Sequence, residues 1–154
     1  MHIVVRPLAE GDLDAASEIE RQCFTRPWSR EALAEAIRNE ASYFVVAVLE
    51  SGVLAGCAGM HAVCGECYID TIAVPAAFRR KGVGRAMLEA LVRLAEQMHA
   101  AFLSLEVRPS NGPAIGLYRS MGFDYIGIRP GFYDAPKEDA AIYTRWLCPG
   151  EMQG

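Results

Sequence analysis

The chain has no apolar run long enough to cross a bilayer. Its 154 residues are 52% hydrophobic, but charged residues interrupt them throughout, and the opening Ile3-Val4-Val5 run stops at Arg6. No membrane-spanning helix and no secretory leader are expected, which points to a cytoplasmic protein. Charge of one sign does not accumulate either: 15 Lys and Arg against 19 Asp and Glu give a net charge of -4, with the basic residues scattered. That excludes the basic stripe a nucleic-acid surface needs and leaves a basic peptide as the better partner. The five cysteines are Cys23, Cys57, Cys64, Cys67 and Cys148, an odd number without secretory context, which excludes a disulfide framework. Cys64-Gly65-Glu66-Cys67 has the spacing of a metal knuckle, with His61 just upstream. A structural zinc site needs a fourth ligand and usually a second pair, and neither is present, so these are read as small residues around a hairpin turn and no metal is expected. Linkers, repeats and low-complexity tracts are missing as well. Residues 1–154 therefore read as a single domain.

What the sequence does contain is a regular alternation of element signals. Ile3 to Val5 predicts a short strand closed by Pro7, and Asp12 to Cys23 a helix. Ser29 is an N-cap for a second helix reaching Asn39, with Leu33, Ala36 and Ile37 on its apolar side. Tyr43 to Leu49, Val53 to Val63 and Cys67 to Val74 read as three consecutive antiparallel strands. The period then changes: Met87, Leu91, Leu94 and Met98 share one face of a long amphipathic helix. A strand at Phe102 to Val107, a helix at Pro113 to Met121 and strands at Phe123 to Ile128 and Ala140 to Leu147 complete the chain. The expected class is α/β of the α+β kind, with a mixed, mostly antiparallel sheet of about seven strands and about four helices.

The segment Ile72-Ala73-Val74-Pro75-Ala76-Ala77-Phe78-Arg79-Arg80-Lys81-Gly82-Val83-Gly84-Arg85 runs from a strand through a glycine turn into the long helix. Helix-start amides lack intrahelical partners and the macrodipole adds positive potential, so the expected guest is an anion. Gly82 and Gly84 let a phosphate approach the backbone, and Arg79, Arg80 and Lys81 supply charge. A plain glycine turn with a solvated basic rim fits the same residues. A dinucleotide fingerprint fails because Met87 stands where its third glycine belongs, and no G-K-S/T of a P-loop is present.

Arg79-x-x-Gly82-x-Gly84, preceded by Ile72-Ala73-Val74, resembles the Q/R-x-x-G-x-G/A pyrophosphate loop of the GNAT acetyltransferases. A second block, Leu105-Glu-Val-Arg-Pro-Ser-Asn-Gly-Pro-Ala-Ile-Gly-Leu-Tyr-Arg-Ser-Met-Gly-Phe123, resembles the L-E-V-R-x-S-N-x-x-A-x-x-L-Y-x-x-x-G-F stretch of the RimI-type members. The Pro27-Trp28-Ser29 turn and the closing Phe132-Tyr133 extend the likeness over nearly the whole chain. The resemblance implies a sheet splayed between its fourth and fifth strands. It implies acetyl-CoA held by Ile72 to Val74, Arg79 to Arg85 (including Val83), Asn111 and Tyr118, and an acceptor meeting Trp28 and Tyr133. It also implies Glu106 as proton acceptor, Tyr118 as proton donor, and the N-terminal amine of a protein, a ribosomal one beginning with alanine, as acceptor.

Read without the family, the same residues leave alternatives open. Strand parity puts Leu103, Leu105 and Val107 on one face of Phe102 to Val107 and Phe102, Ser104 and Glu106 on the other. Glu106 is then either a functional carboxylate or an ordinary partner of Arg108. Tyr118 fits a core aromatic with a wet hydroxyl, and Asn111 a helix cap ahead of Pro113. Asp70 is a competing base and His61 a more distant one. Gly112, Pro113 and Gly116 depart from a more alanine-rich pattern, Gly116 at about 1 kcal/mol to the helix, and Phe132 stands where many relatives carry tyrosine. A tyrosine near 10 stays protonated at neutral pH while a carboxylate is ionised, a division of labour that suits acyl transfer from a thioester. Acetylation of lysine or of a small amine, and a non-catalytic acetyl-CoA-binding module, are the competing readings.

Overall fold

β-Branched and apolar runs alternate with amphipathic ones along the chain, and the elements follow them. The computed structural model describes residues 2–147, so Cys148 lies outside the described residues. Strands β1 (Ile3–Pro7), β2 (Ser42–Leu49), β3 (Leu54–Val63), β4 (Glu66–Ala73), β5 (Phe102–Val107), β6 (Asp124–Asp134) and β7 (Lys137–Trp146) form one sheet in the order β1-β2-β3-β4-β5-β7-β6. Helices α1 (Leu13–Cys23), α2 (Arg30–Arg38), α3 (Val83–Gln97) and α4 (Gly112–Ser120) connect them. β1/β2, β2/β3, β5/β7 and β6/β7 pair antiparallel, while β4 and β5 pair parallel through Cys67↔Leu103 and Tyr68↔Ser104, where that ladder ends. This is the mixed, split sheet expected from the sequence. Among the described residues no helix is long and apolar enough to cross a membrane.

The chain divides into two compact units. In the first, Asp70–Leu94 joins the chain up to Ala62. Its core is Leu8, Leu13, Ala16, Leu33, Ala36, Phe44, Val46 and Cys57, with Trp28 packed against them. Each buried leucine contributes about 1.5–3 kcal/mol, enough to hold two short helices that would not persist alone. Ser29 caps α2 as expected, its Oγ accepting from Ala32 N at 3.0 Å. Gly56 lets α3 sit down on β3: a Cβ there would meet Met87 Cε at 2.7 Å.

The second unit joins Val63–Ile69 to the chain from Ala95 onward. Cys64 (φ 50°) and Gly65 (φ 78°) are the two left-handed residues that a two-residue hairpin between β3 and β4 requires. The knuckle-like spacing is thus turn chemistry, with Cys64 exposed and Cys67 buried. β6 is longer than the sequence predicts. Pro130 and Gly131 look like breakers after Ile128, but β6 is an edge strand, where a proline costs no ladder bond, and a register irregularity between Arg129 and Tyr133 absorbs them.

One buried carboxylate ties the first unit together. Glu20 on α1 is fully buried; its Oε2 accepts from Thr71 Oγ1 on β4 at 2.7 Å and its Oε1 from Trp28 N at 3.1 Å. Burial raises its pKa, and the Thr71 and Trp28 hydrogen bonds offset only part of that. The ionised form is therefore disfavoured in the folded state, and Glu20's contribution is fully present at low pH and declines as pH rises through its elevated folded pKa. Glu20→Gln keeps an acceptor for Trp28 and a partner for Thr71 while removing the charge. Urea-unfolding midpoints from about pH 4 to pH 8 are expected to move in the variant's favour as pH rises; a gap independent of pH contradicts the assignment.

Candidate functional site

In the first unit, Ile72 and Ala73 end β4, Val74 and Pro75 lead into a 3-10 turn at Ala76–Phe78, and Arg79 to Gly82 carry the chain into α3. Two left-handed residues shape this loop, Arg80 at φ 62° and Gly82 at φ 85°. Nothing lies within 4 Å of where a Gly82 Cβ would stand, so the loop's backbone is bare on that side. Gly82 O accepts from Ala86 N at 3.0 Å and closes the first turn of α3, whose earlier amides have no carbonyl within the helix to bind. Val83 is buried and anchors the turn; Arg80, Lys81 and Arg85 are exposed and Gly84 half-exposed. Arg79 has a second task that the sequence did not reveal. Its Nε donates to Val74 O at 2.8 Å, fastening the loop to the end of β4. Backbone amides, positive dipole and surface cations together fit a pyrophosphate.

Trp28 and the competing base lie in the same unit. The Trp28 ring packs on Phe44 with centroids 4.9 Å apart, which commits much of it to the core. Asp70 Oδ1 lies 2.8 Å from His61 Nδ1. Burial raises the Asp70 pKa, with His61 opposing.

In the second unit, register alone collects one face. Phe102, Ser104 and Glu106 of β5 stand opposite Trp146, Thr144 and Ile142 of β7, and Tyr68 of β4 opposite Ser104. These side chains, with Arg129 from β6, line a cavity of about 310 Å³. Glu106 sits at its wall, and its partner is not the Arg108 considered from sequence. Arg129 Nε lies 2.9 Å from Glu106 Oε2. That oxygen is buried and receives no aligned hydrogen bond, so the contact is an ion pair by distance alone and the oxygen is left short of a donor. Arg108 turns away, donating to Pro136 O at 2.7 Å and Glu138 Oε1 at 3.3 Å while stacking over the Tyr133 ring at 4.2 Å.

Tyr118 on α4 is buried, and that burial, with Tyr133 nearby, pushes its hydroxyl up to about 12. Tyr133 is raised too, by burial first and then by the Glu106 charge, with Arg108 opposing. Tyr133, distant from both in sequence, therefore interacts electrostatically with Glu106 and with Tyr118. Asn111 caps α4, its Oδ1 accepting from Ala114 N at 3.2 Å ahead of Pro113. Among the described residues no three His, Cys, Asp or Glu side chains are placed to hold a metal ion. Sequence reasoning missed Arg129 and the Ser104–Thr144 pair, because β6 was ended at Ile128 and a strand serine carries no signal of its own.

Comparison with known proteins shows the family. The family model described as the Acetyltransferase (GNAT) family matches residues 13–123. The ribosomal protein bS18-alanine N-acetyltransferase of Escherichia coli (strain K12) is 36% identical over 140 residues, 90% of this chain and 93% of that protein. The N-alpha-acetyltransferase RimI of Mycobacterium tuberculosis is 31% identical over 149 residues, 93% and 92% of the two chains. The crystal structure of the Escherichia coli ribosomal-protein-S18-alanine N-acetyltransferase superposes with a TM-score of 0.83 at 34% identity, covering 94% of each chain.

The loop's geometry gives a direct test. Gly84→Asp sets a carboxylate in the first turn of α3, where it suits the helix dipole and repels a pyrophosphate. Acetyl-CoA affinity measured by calorimetry is expected to fall by about 100-fold or more with the melting temperature nearly unchanged. A folded variant that binds as tightly as the wild type places the pyrophosphate elsewhere.

Proposed function

This chain belongs to the acetyltransferase (GNAT) family and is an acetyl-CoA-dependent N-acetyltransferase, and from that premise we propose that its acceptor is the N-terminal α-amine of a protein. The observation that carries the reading is Glu106: a carboxylate at the wall of a cavity, its buried Oε2 lacking an aligned donor, within electrostatic reach of Tyr133, whose hydroxyl its charge helps to raise. An amine is the donor such an oxygen lacks. An α-amine with a pKa of about 8 is roughly 10% neutral at pH 7, while a lysine near 10.4 is neutral at below about 0.1%, so a single carboxylate acceptor suits the N-terminal amine. Similarity to proteins named for alanine N-acetylation of ribosomal protein bS18 favours a cytoplasmic ribosomal acceptor beginning with alanine. The family match covers residues of both units, in support of one catalytic domain.

Acetyl-CoA brings an activated thioester acyl group. In this reading its pyrophosphate is held by backbone amides from Arg80 to Gly84, with Ile72 to Val74 and Asn111 along the rest of the molecule. Glu106 accepts the proton of the attacking amine. Tyr118 keeps its proton throughout the neutral range and offers it to the departing thiolate. At about 12 the hydroxyl is a weaker acid than the unperturbed tyrosine assumed from sequence, and an alkyl thiol near 8.5 is far more acidic. Tyr118 therefore stabilises the sulfur anion as a hydrogen-bond donor more than through complete transfer. Tyr133, in the same unit as Glu106, flanks the acceptor.

Acetyl transfer to a panel of free-N-terminal peptides, N-blocked lysine peptides and polyamines tests the acceptor; turnover confined to lysines or polyamines refutes the reading. On the preferred acceptor, Glu106→Gln is expected to lower kcat by about 10² or more with little change in acetyl-CoA affinity. If Asp70→Asn is the variant that abolishes turnover while Glu106→Gln is nearly silent, the base is Asp70.

Tyr118→Phe preserves the packing and removes the donor, with an expected loss of about 10-fold to 10³-fold in kcat. Acyl donors with more acidic thiols should suffer less, because their thiolates need less help. Equal losses across donors of graded thiol pKa leave Tyr118 a core aromatic.

A further inference from the structure

The cavity beside Glu106 is much larger than an alanine side chain, and its shape has a cause in the register. Two small residues, Ser104 and Thr144, face each other at its floor between larger cross-strand pairs, Glu106 with Ile142 on one side and Phe102 with Trp146 on the other. The floor asks nothing of a guest. Ser104 Oγ and Thr144 Oγ1 bond each other at 2.8 Å, and Ser104 Oγ also donates to Tyr143 O at 3.4 Å.

Beyond the floor the wall is aromatic: Phe102 meets Trp146 edge-on with centroids 5.2 Å apart and Tyr68 at 5.7 Å. Trp146 remains 56% exposed, and Ile126, which lines the same cavity, is 53% exposed. Uncovered apolar surface at one end and a donor-seeking carboxylate at the other describe a guest with an amine and an apolar group a side chain's length apart. Glu106 and Ser104 are two strand residues apart, about 6.8 Å.

We propose that this cavity receives the side chain of the acceptor's first residue, so that this chain departs from the alanine for which its relatives are named and favours N-termini beginning with a large apolar residue such as leucine, methionine or phenylalanine. The inference rests on the N-terminal reading above and refines it. An alanine acceptor places its amine at Glu106 and leaves the cavity unfilled. A larger residue also covers Trp146, Ile126 and Phe102, which by the hydrophobic effect is worth about tenfold to 100-fold in kcat/KM.

The experiment compares peptides identical except for a first residue of Gly, Ala, Leu, Met or Phe, on the wild type and on Ser104→Phe, which fills the cavity from its floor. The wild type is expected to favour Leu, Met and Phe over Ala by about tenfold or more, and the variant's ratio to fall toward one. A ratio within one protein is insensitive to how much of it is folded. A flat wild-type series, or a preference that survives the substitution, overturns the proposal.

If no N-terminal peptide is acetylated while lysine or polyamine is, the N-terminal reading fails, and binding decides the cavity. The chain has two tryptophans, so Trp28→Phe leaves Trp146 as sole reporter. Saturable quenching by phenylalaninamide but not alaninamide, lost when Ser104→Phe is added, upholds the cavity; no response overturns it.

Discussion

The parallel ladder between β4 and β5 is two registers long, and the chemistry of the second unit depends on where it stops. β5 stays paired to β7 through Val107↔Ala141, but its other edge is released from β4 after Ser104. Leu105, Glu106 and Val107 are thus held rigidly from one side only. A strand paired on both edges fixes its side chains but presents no backbone to a ligand; an unpaired segment presents backbone but wanders. Half-pairing gives Glu106 a fixed direction and leaves the adjoining main chain able to bind. The aliphatic face of the same strand, Leu103, Leu105 and Val107, is buried and prevents a register slip that would turn Glu106 into the core.

Electrostatics around Glu106 follow from what is withheld from it. A carboxylate that collects several aligned hydrogen bonds becomes a poorer proton acceptor, as the partly exposed Glu138 illustrates: desolvation works to raise its pKa, yet two hydrogen bonds from Ser110 and the Arg108 contact hold it below the ordinary value. Glu106 receives a nearby cation, Arg129, without an aligned bond. Arg108, the neighbour in sequence, is diverted to Glu138, Pro136 and the Tyr133 ring. That diversion keeps Arg108 off Glu106 and holds its guanidinium over the Tyr133 ring.

Most of the fold was legible because its signals are local. Ser29 as a cap, the exact strand Phe102 to Val107 and the long α3 each follow from residues within one or two turns of themselves. The glycine turn before α3 was legible for the same reason, since positive φ at Gly82 and a helix start are written in adjacent residues. β6 was not, because Pro130 and Gly131 break a central strand but not an edge strand, and edge position is a property of the whole sheet. With β6 cut short, Arg129 could not be put on the Glu106 face. Tyr118 and Glu106 entered by resemblance, because nothing local distinguishes a helical tyrosine that works from one that packs; burial pushes the Tyr118 hydroxyl up to about 12, as it would for either.

The glycine loop before α3 and the cavity beside Glu106 are built from different materials, and this bears on how such a chain can change its substrate. The loop depends on main-chain features, namely left-handed Arg80 and Gly82, the first turn of α3 and the Arg79 tether to Val74. Substitution there disturbs backbone conformation, and few residues are compatible with it. The cavity beside Glu106 depends on side-chain volume at cross-strand positions of β5 and β7, over a ladder whose hydrogen bonds do not involve those side chains. Replacing Ser104 or Thr144 by a larger residue alters the floor without altering the register, at the cost of one hydroxyl pair worth about 1 kcal/mol. One fold can therefore hold its donor constant while acceptor size is set by two small residues. Here both are small, and the space they leave adjoins the one carboxylate oxygen in the second unit that is buried without an aligned hydrogen bond among the described residues.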